Sequence, residues 1–207
     1  MHSLRRVLTF SLLSLLLGGA ASATAQDNRR AVYVQPQPQK APGDLITKQP
    51  DARITLRLMS TTTPENSRVY VSIGKQRAYL INTTSDEIVI DSPISSGKSG
   101  HGTPKGKYTI KERDRDHRSS IYGDFVDRSG RTVRRGVSTK IDSAPSGTKY
   151  VGASMKWFMR LTNDGVGMHT GFLPGYAASH GCVRMPEQIA QMFYDRVKVG
   201  TPAVVAD

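Results

Sequence analysis

The stretch RVYVSIGKQRAYLIN, residues 68–82, decides how the rest of the chain is read. Val69, Val71 and Ile73 alternate with Tyr70 and Ser72, the period-two pattern of a half-buried strand. Gly74-Lys75 marks a turn, and residues 76–82 return as a second strand. Outward from this hairpin the chain is a series of short apolar segments cut by Gly, Pro, Asn, Asp and Ser. TTSDE (83–87) turns again, IVIDSPIS (88–95) is a third strand, SGKSGHGTPKGK (96–107) is a glycine-rich loop, and YTIKER (108–113) is a fourth strand. Residues 114–149 are polar and glycine-punctuated, a surface excursion in which DRSGRT (127–132) turns a hairpin between Phe125-Val126 and Val133. KWFMRLTNDGVGMHTGF (156–172) reads as two strands joined at Asn163-Asp164-Gly165, a strong hairpin signal. In MPEQIAQMFYDRVKVG (185–200), Ile189, Met192, Phe193 and Val197 share one helical face. Pro186 suits its start and Gly200 its stop. TPAVVA (201–206) closes as a strand. The pattern predicts a mostly β, mostly antiparallel domain with one main helix near the C-terminus.

The N-terminal segment has a different character. Arg5 and Arg6 precede the apolar run Val7–Leu17, and Ala23-Thr24-Ala25 supplies small residues for a peptidase, the plan of a secretory signal peptide over residues 1–25. The run is shorter than the roughly 20 apolar residues a membrane anchor needs. Residues 26–66 begin rich in Gln, Pro and charge and read as a disordered leader, with RITLRL (53–58) an edge-strand candidate before STTTPEN breaks it. Removing residues 1–25 takes two arginines and no acids, so the formal charge falls from +12 to +10. Such a chain is drawn to polyanions. Export argues against nucleic acid and favours anionic wall polymers or lipid head groups, with the membrane met only during export.

Cys182 is the only cysteine of the 207 residues. It has no intramolecular partner, and a thiol that persists in an oxidising compartment is a candidate for chemistry. His169 stands 13 positions earlier, and the glycines and proline between them let the chain fold the imidazole back to the thiol. A histidine within hydrogen-bond reach activates a cysteine nucleophile, and a nearby imidazolium, Arg184 and the start of the helix would each favour the thiolate. Gly181 leaves room for an acyl group to approach the backbone, with the N–H groups of residues 180–182 aimed at a developing oxyanion. A zinc site of His169, His180 and Cys182 falls short of the four ligands usual for structural zinc. Inert burial fits poorly with a Gly-Cys pair flanked by His and Arg. His180 reads as a residue that shapes the turn, and His101 and His117 as surface residues of loops.

MHTG (168–171) followed by SHGCVRMP (179–186) resembles the signature of the L,D-transpeptidases, the YkuD domain family of peptidoglycan cross-linking enzymes. Ser96, Gly97, Thr103, Pro104, Gly106 and Tyr108 resemble the family's upstream segment, and residues 71–82 its opening hairpin. The resemblance covers residues 67–207 and implies a β-sandwich-like catalytic domain there. It implies Cys182 as nucleophile, His169 as proton donor and acceptor, and the backbone carbonyl of Thr170 as the group that orients His169. It implies an oxyanion hole from the N–H groups of His180, Gly181 and Cys182. Ser179, His180 and Arg184 would support the turn and substrate carboxylates. Trp157 has two readings, a wall of the donor groove or core packing.

The implied reaction is thioester formation with a stem tetrapeptide, release of D-alanine, and acyl transfer to an amine, without metal or organic cofactor. Peptidoglycan stem peptides are the expected partners, and periplasm or cell wall the expected location. Attachment of an envelope protein to the wall and hydrolysis as an L,D-carboxypeptidase share this chemistry. A non-catalytic wall-binding module is the reading from another class, against which intact Cys182 and His169 argue. NlpC/P60-type peptidases carry the cysteine before the histidine, the reverse of the order here.

Overall fold

The structure, a computed structural model, describes residues 49–207. The signal-peptide expectation and the leader up to residue 48 lie outside the described residues. No described helix is long and apolar enough to cross a membrane.

The chain enters through β1 (Arg53–Ile54) and one helical turn, α1 (Leu56–Met59). RITLRL is thus an edge strand for two residues only. Its alternation breaks where Leu58 turns into the core while Leu56 stays exposed. The deciding hairpin follows as β2 (Ser67–Ser72) and β3 (Arg77–Asn82), and β4 (Glu87–Pro93) extends it. Register pairs Val69 with Leu80 and Val71 with Ala78, all buried. The turn's left-handed residue is Gln76, at φ 51°, rather than Gly74.

YTIKER does not run as one strand. It divides into β5 (Gly106–Thr109) and β6 (Glu112–Asp114), which belong to different sheets. Fully buried Ile110 sits at the crossing. Its N–H donates to Thr201 O (2.9 Å) and its carbonyl accepts from Gly200 N (2.8 Å), while Lys111 N donates to Arg160 O (2.8 Å). Adjacent residues therefore bond toward different sheets, Ile110 beside the closing C-terminal strand and Lys111 to Arg160, a step that alternation alone does not reveal. The excursion forms β7 (Arg118–Val126), β8 (Thr132–Ser138) and β9 (Lys149–Ser154), with the expected hairpin at residues 127–131. Next come β10 (Phe158–Arg160) and β11 (Gly167–Thr170), joined through Asn163-Asp164-Gly165 as expected. β12 (Val183–Met185), α2 (Glu187–Tyr194) and β13 (Pro202–Ala206) complete the chain.

The strands make a six-stranded sheet, β1-β4-β3-β2-β13-β5, a four-stranded sheet, β12-β11-β10-β6, and the three-stranded sheet β8-β7-β9. The first two share one core. Val69, Val71, Leu80 and Ile90 from the large sheet meet Met159, Met168, Val183 and Met185 from the smaller one. Ile189, Ala190, Phe193 and Val197 from the α2 region fill the same core. The mostly β, sandwich-like expectation with one main helix after the cysteine holds. Two pairs are parallel, β13 with β2 and β11 with β12.

The entering segment is tied to the large sheet by one buried arginine. Arg77 Nε donates to Asp91 Oδ1 (2.6 Å), Nη1 to Pro50 O (2.8 Å) and Nη2 to Asp91 O (3.0 Å). Replacing it leaves Asp91 without its counter-charge and the carbonyls of Pro50 and Asp51 without their donor. Arg77→Met is expected to lower unfolding stability by about 3 kcal/mol and to speed proteolysis ahead of β1. Urea denaturation and limited proteolysis measure the two effects.

Candidate functional site

Parallel neighbours need a crossover of about a dozen residues. Residues 171–182 are that crossover between β11 and β12, and the His169–Cys182 spacing is its length. The register pairs Met168 with Val183, His169 with Arg184 and Thr170 with Met185. One step back, Cys182 lies beside Gly167. Side chains alternate across a strand, so Val183, Met185 and Met168 enter the core while Cys182, Arg184 and His169 share the other face.

The neighbouring strands extend this face into two rows. Arg160 pairs with Gly167 on one side and Glu112 on the other, giving Cys182, Gly167, Arg160 and Glu112 across the sheet. The next row holds Arg184, His169, Phe158 and Asp114. The Phe158 ring leans over Gly167, where a Cβ would stand 2.4 Å from its edge, so the position beside Cys182 has no room for a side chain.

His169 is buried, at 7% exposure. Its Nδ1–H donates to the Thr170 carbonyl (2.7 Å), which leaves the Nε2 lone pair as the basic site. Burial drives its pKa down to about 4, with the Thr170 bond opposing and Arg184 and His117 adding to the shift. The thiol of Cys182 is raised by burial, while the Gly167 N–H, Arg184 and Arg160 pull it back and Asp164 pushes it further up. Its S–H points to Gly165 O at 3.8 Å. The resting pair is therefore a neutral imidazole and a neutral thiol, where the sequence led us to expect an imidazolium beside a thiolate. The helix dipole does not help the anion either. Strand β12 lies between Cys182 and the first residue of α2, and the dipole's influence fades within the first turn.

The turn before the cysteine is held from both sides. Ser179 is buried, its Oγ accepts from Gly181 N (3.1 Å) and donates to Cys182 O. Of the three amides expected to hold an oxyanion, that of Gly181 is thus already engaged. Gly181 adopts φ 120°, a conformation that favours glycine. From the loop after β4, Thr103 Oγ1 donates to Gly181 O (2.7 Å) and accepts from Gly97 N (2.9 Å). Ser96 O accepts from Ala178 N and Ser179 N (both 3.0 Å), and Ser95 exchanges backbone bonds with Arg184. A Cβ on Gly97 would stand 2.1 Å from His101 O. The Ser-x-Gly and Thr-Pro elements of residues 95–104 are in this way the outer clamp of the cysteine turn.

The remaining candidates separate. His180 is exposed and its ring stacks on Tyr122 of β7 (4.5 Å) with His101 at its edge (4.9 Å). Burial and the charges of Lys98, His101 and Arg184 keep its pKa low. Trp157 packs in the core with Met159, edge-on to Tyr194 of α2 (5.4 Å), at a left-handed φ of 59°. Its donor-groove reading gives way to core packing, because the indole joins the apolar face of the sheet. His117 corrects the opposite way. It is no free surface residue but stacks on Phe158 (4.1 Å, 11°) and bonds Asp114 through Nδ1 (3.0 Å). Ligating atoms of Glu112, Asp114 and His117 lie within 4.8 Å of one another, but Arg160 already holds Glu112 and His117 holds Asp114. Sequence reasoning missed Glu112, Asp114, His117 and Arg160. The signal was there in the alternation of β6 against β10, hidden by reading YTIKER as one strand.

The β scaffold recurs in solved structures. L,D-transpeptidase 3 from Mycobacterium tuberculosis with a faropenem-derived adduct superposes with a TM-score of 0.51 at 19% identity, over 69% of this chain and 60% of that one. An L,D-transpeptidase from Mycobacterium smegmatis gives 0.50 at 21% identity, over 68% and 58%. The fold is thus that of the L,D-transpeptidases. In sequence, residues 66–205 match the YkuD L,D-transpeptidase catalytic domain, and the chain belongs to that family. It is 28% identical over 120 residues to the probable L,D-transpeptidase 3 of Mycobacterium tuberculosis, over 56% of this chain, and spans 38% of that relative's length.

Two outcomes test the site's physics. The unfolded chain's His169 takes a proton near the ordinary 6.5 and the folded one only near 4. Stability from this group is complete above pH 6.5 and falls as pH drops toward 4, by as much as about 3 kcal/mol. The difference in pH-dependence between wild type and His169→Gln across this window, read by chemical denaturation, measures it. Gly97→Ala is expected to cost about 2 kcal/mol or more by overpacking the clamp, seen as a lowered thermal midpoint.

Proposed function

We propose that the chain is an exported cysteine L,D-transpeptidase that cross-links peptidoglycan stem peptides. The observation that carries the proposal is the placement of Cys182 and a backbone-oriented His169 on one sheet face, one row apart. Nε2 of neutral His169 takes the thiol proton as sulfur attacks the carbonyl of the third stem residue. The amides of His180 and Cys182 stabilise the developing oxyanion, with Ser179 holding the turn and Gly181 allowing it. The C–N bond breaks, the imidazolium protonates the leaving D-alanine amine, and a thioester remains on Cys182. An acceptor amine then attacks the thioester, His169 takes its proton, and the thiol is regenerated as the amide forms.

Arg184 supports recognition of an acidic substrate. Half-buried, it has no acidic partner among the described residues, and burial depresses its pKa. An unpaired guanidinium beside the nucleophile suits a stem-peptide carboxylate. The faropenem-derived adduct on the structural relative fits the same acyl chemistry. The composition of residues 1–25 supports export to the periplasm or wall.

Incubation with tetrapeptide muropeptides, followed by mass spectrometry, tests the proposal. Loss of D-alanine with a new 3–3 cross-link is expected. Cys182→Ala should abolish it, and His169→Ala should slow it by about a thousandfold. Tripeptide without cross-link would point to hydrolysis as a carboxypeptidase, and transfer only to a protein amine to attachment of an envelope protein. An unchanged product profile in Cys182→Ala would remove Cys182 as nucleophile.

A further inference from the structure

The thiol's row contains a cation that the proposed reaction does not use. Arg160 stands across Gly167 from Cys182, with the Phe158 ring filling the space over Gly167 between them. Two contacts fix the Arg160 side chain: Nε donates to Glu112 Oε2 (2.5 Å), and the guanidinium carbon lies 5.3 Å from the centre of the Phe158 ring. Nη1 is thereby held next to Gly165, 3.4 Å from where a Cβ on that residue would stand. Gly165 is the residue whose carbonyl receives the Cys182 S–H. The backbone of Arg160 is pinned as well, since its carbonyl accepts from Lys111 N (2.8 Å).

We propose that Arg160 is a positioning residue for the reacting thiol: it holds positive charge beside Gly165, whose carbonyl receives the Cys182 S–H, and Glu112 of the same row moderates that charge. The inference rests on Cys182 as the reacting group. The charged and titratable groups around the thiol are Arg184 on β12, His169 on β11, Asp164 in the turn, Arg160 on β10, Glu112 and Asp114 on β6, and His117 after it. Lys98 and His101 act on the adjacent His180. Burial works against the thiolate, so each nearby cation has leverage on how much of it forms, and Arg160 acts in that direction.

Glu112 makes the inference two-sided. Loss of the cation should make the thiolate harder to form, and loss of the carboxylate should make it easier. The rate of Cys182 alkylation by iodoacetamide, followed against pH in the full chain, reads the thiolate directly. Arg160→Gln is expected to raise the midpoint by about half a pH unit or more, Glu112→Gln to lower it, and Arg160→Lys to restore most of the wild-type value. A purely structural role would change thermal midpoints without shifting these profiles in opposite senses. Shifts in the same sense, or none at either position, would overturn the proposal. If Arg160→Gln does not fold, the downward shift in Glu112→Gln remains the required result. Because alkylation needs no stem peptide, opposite shifts in a protein that fails to cross-link would remove the transpeptidase reading and leave this one standing. Unshifted profiles in a protein that cross-links would do the reverse.

Discussion

The parallel pairing of β11 with β12 is the constraint on which the site depends. A hairpin would have sent the chain back antiparallel within a few residues and fixed a different set of neighbours. The crossover instead returns Cys182 and Arg184 alongside His169 in the same chain direction. It leaves Val183 and Met185 to the core on the other face. One ladder thus serves packing and chemistry at once. Any slip by a single residue would bury the thiol among Met159 and Met168 and push Val183 onto the face that carries His169.

Around that ladder, the protein uses two kinds of support. Backbone groups set geometry: the Thr170 carbonyl chooses the imidazole tautomer, and the loop after β4 grips the cysteine turn through Thr103, Ser95 and Ser96. Side chains set charge: Arg160 and Arg184 partly offset the burial that keeps the Cys182 thiol protonated. The histidine is tuned downward by the same burial. This produces a pair that rests uncharged, in contrast to a stored thiolate–imidazolium pair.

Much of this was legible in the sequence, for identifiable reasons. The deciding hairpin, the Asn-Asp-Gly connection and the amphipathic α2 each have a local signature, and each is found where the pattern placed it; the His–Cys spacing matches the crossover that sets His169 and Cys182 on one sheet face. What escaped depends on events between distant segments. Ile110 carries one apparent strand from one sheet to the other, so Glu112 and Asp114 turned out to line the face of the site. His117 has the surroundings of a loop residue in sequence, and only the fold lays it on Phe158. Trp157 was ambiguous because alternation assigns it a face without saying which face is the core. The cysteine's nearness to a helix misled in the same way, since a three-residue strand intervenes. The entering segment, residues 49–66, also carried little signal, because its order comes from Arg77 and Leu58 meeting partners far along the chain.

The clamp on the cysteine turn joins residues 95–103 to residues 176–184, some eighty positions apart. Bringing such segments together carries a loop-closure cost that only a largely folded chain can offset. An emerging or partly folded chain therefore holds its thiol with no shaped turn and no oriented histidine. The reactive arrangement exists only once both sheets have closed on their common core. The same long-range bonds that shape the turn thus make the arrangement of thiol, turn and histidine a property of the finished fold rather than of any one segment.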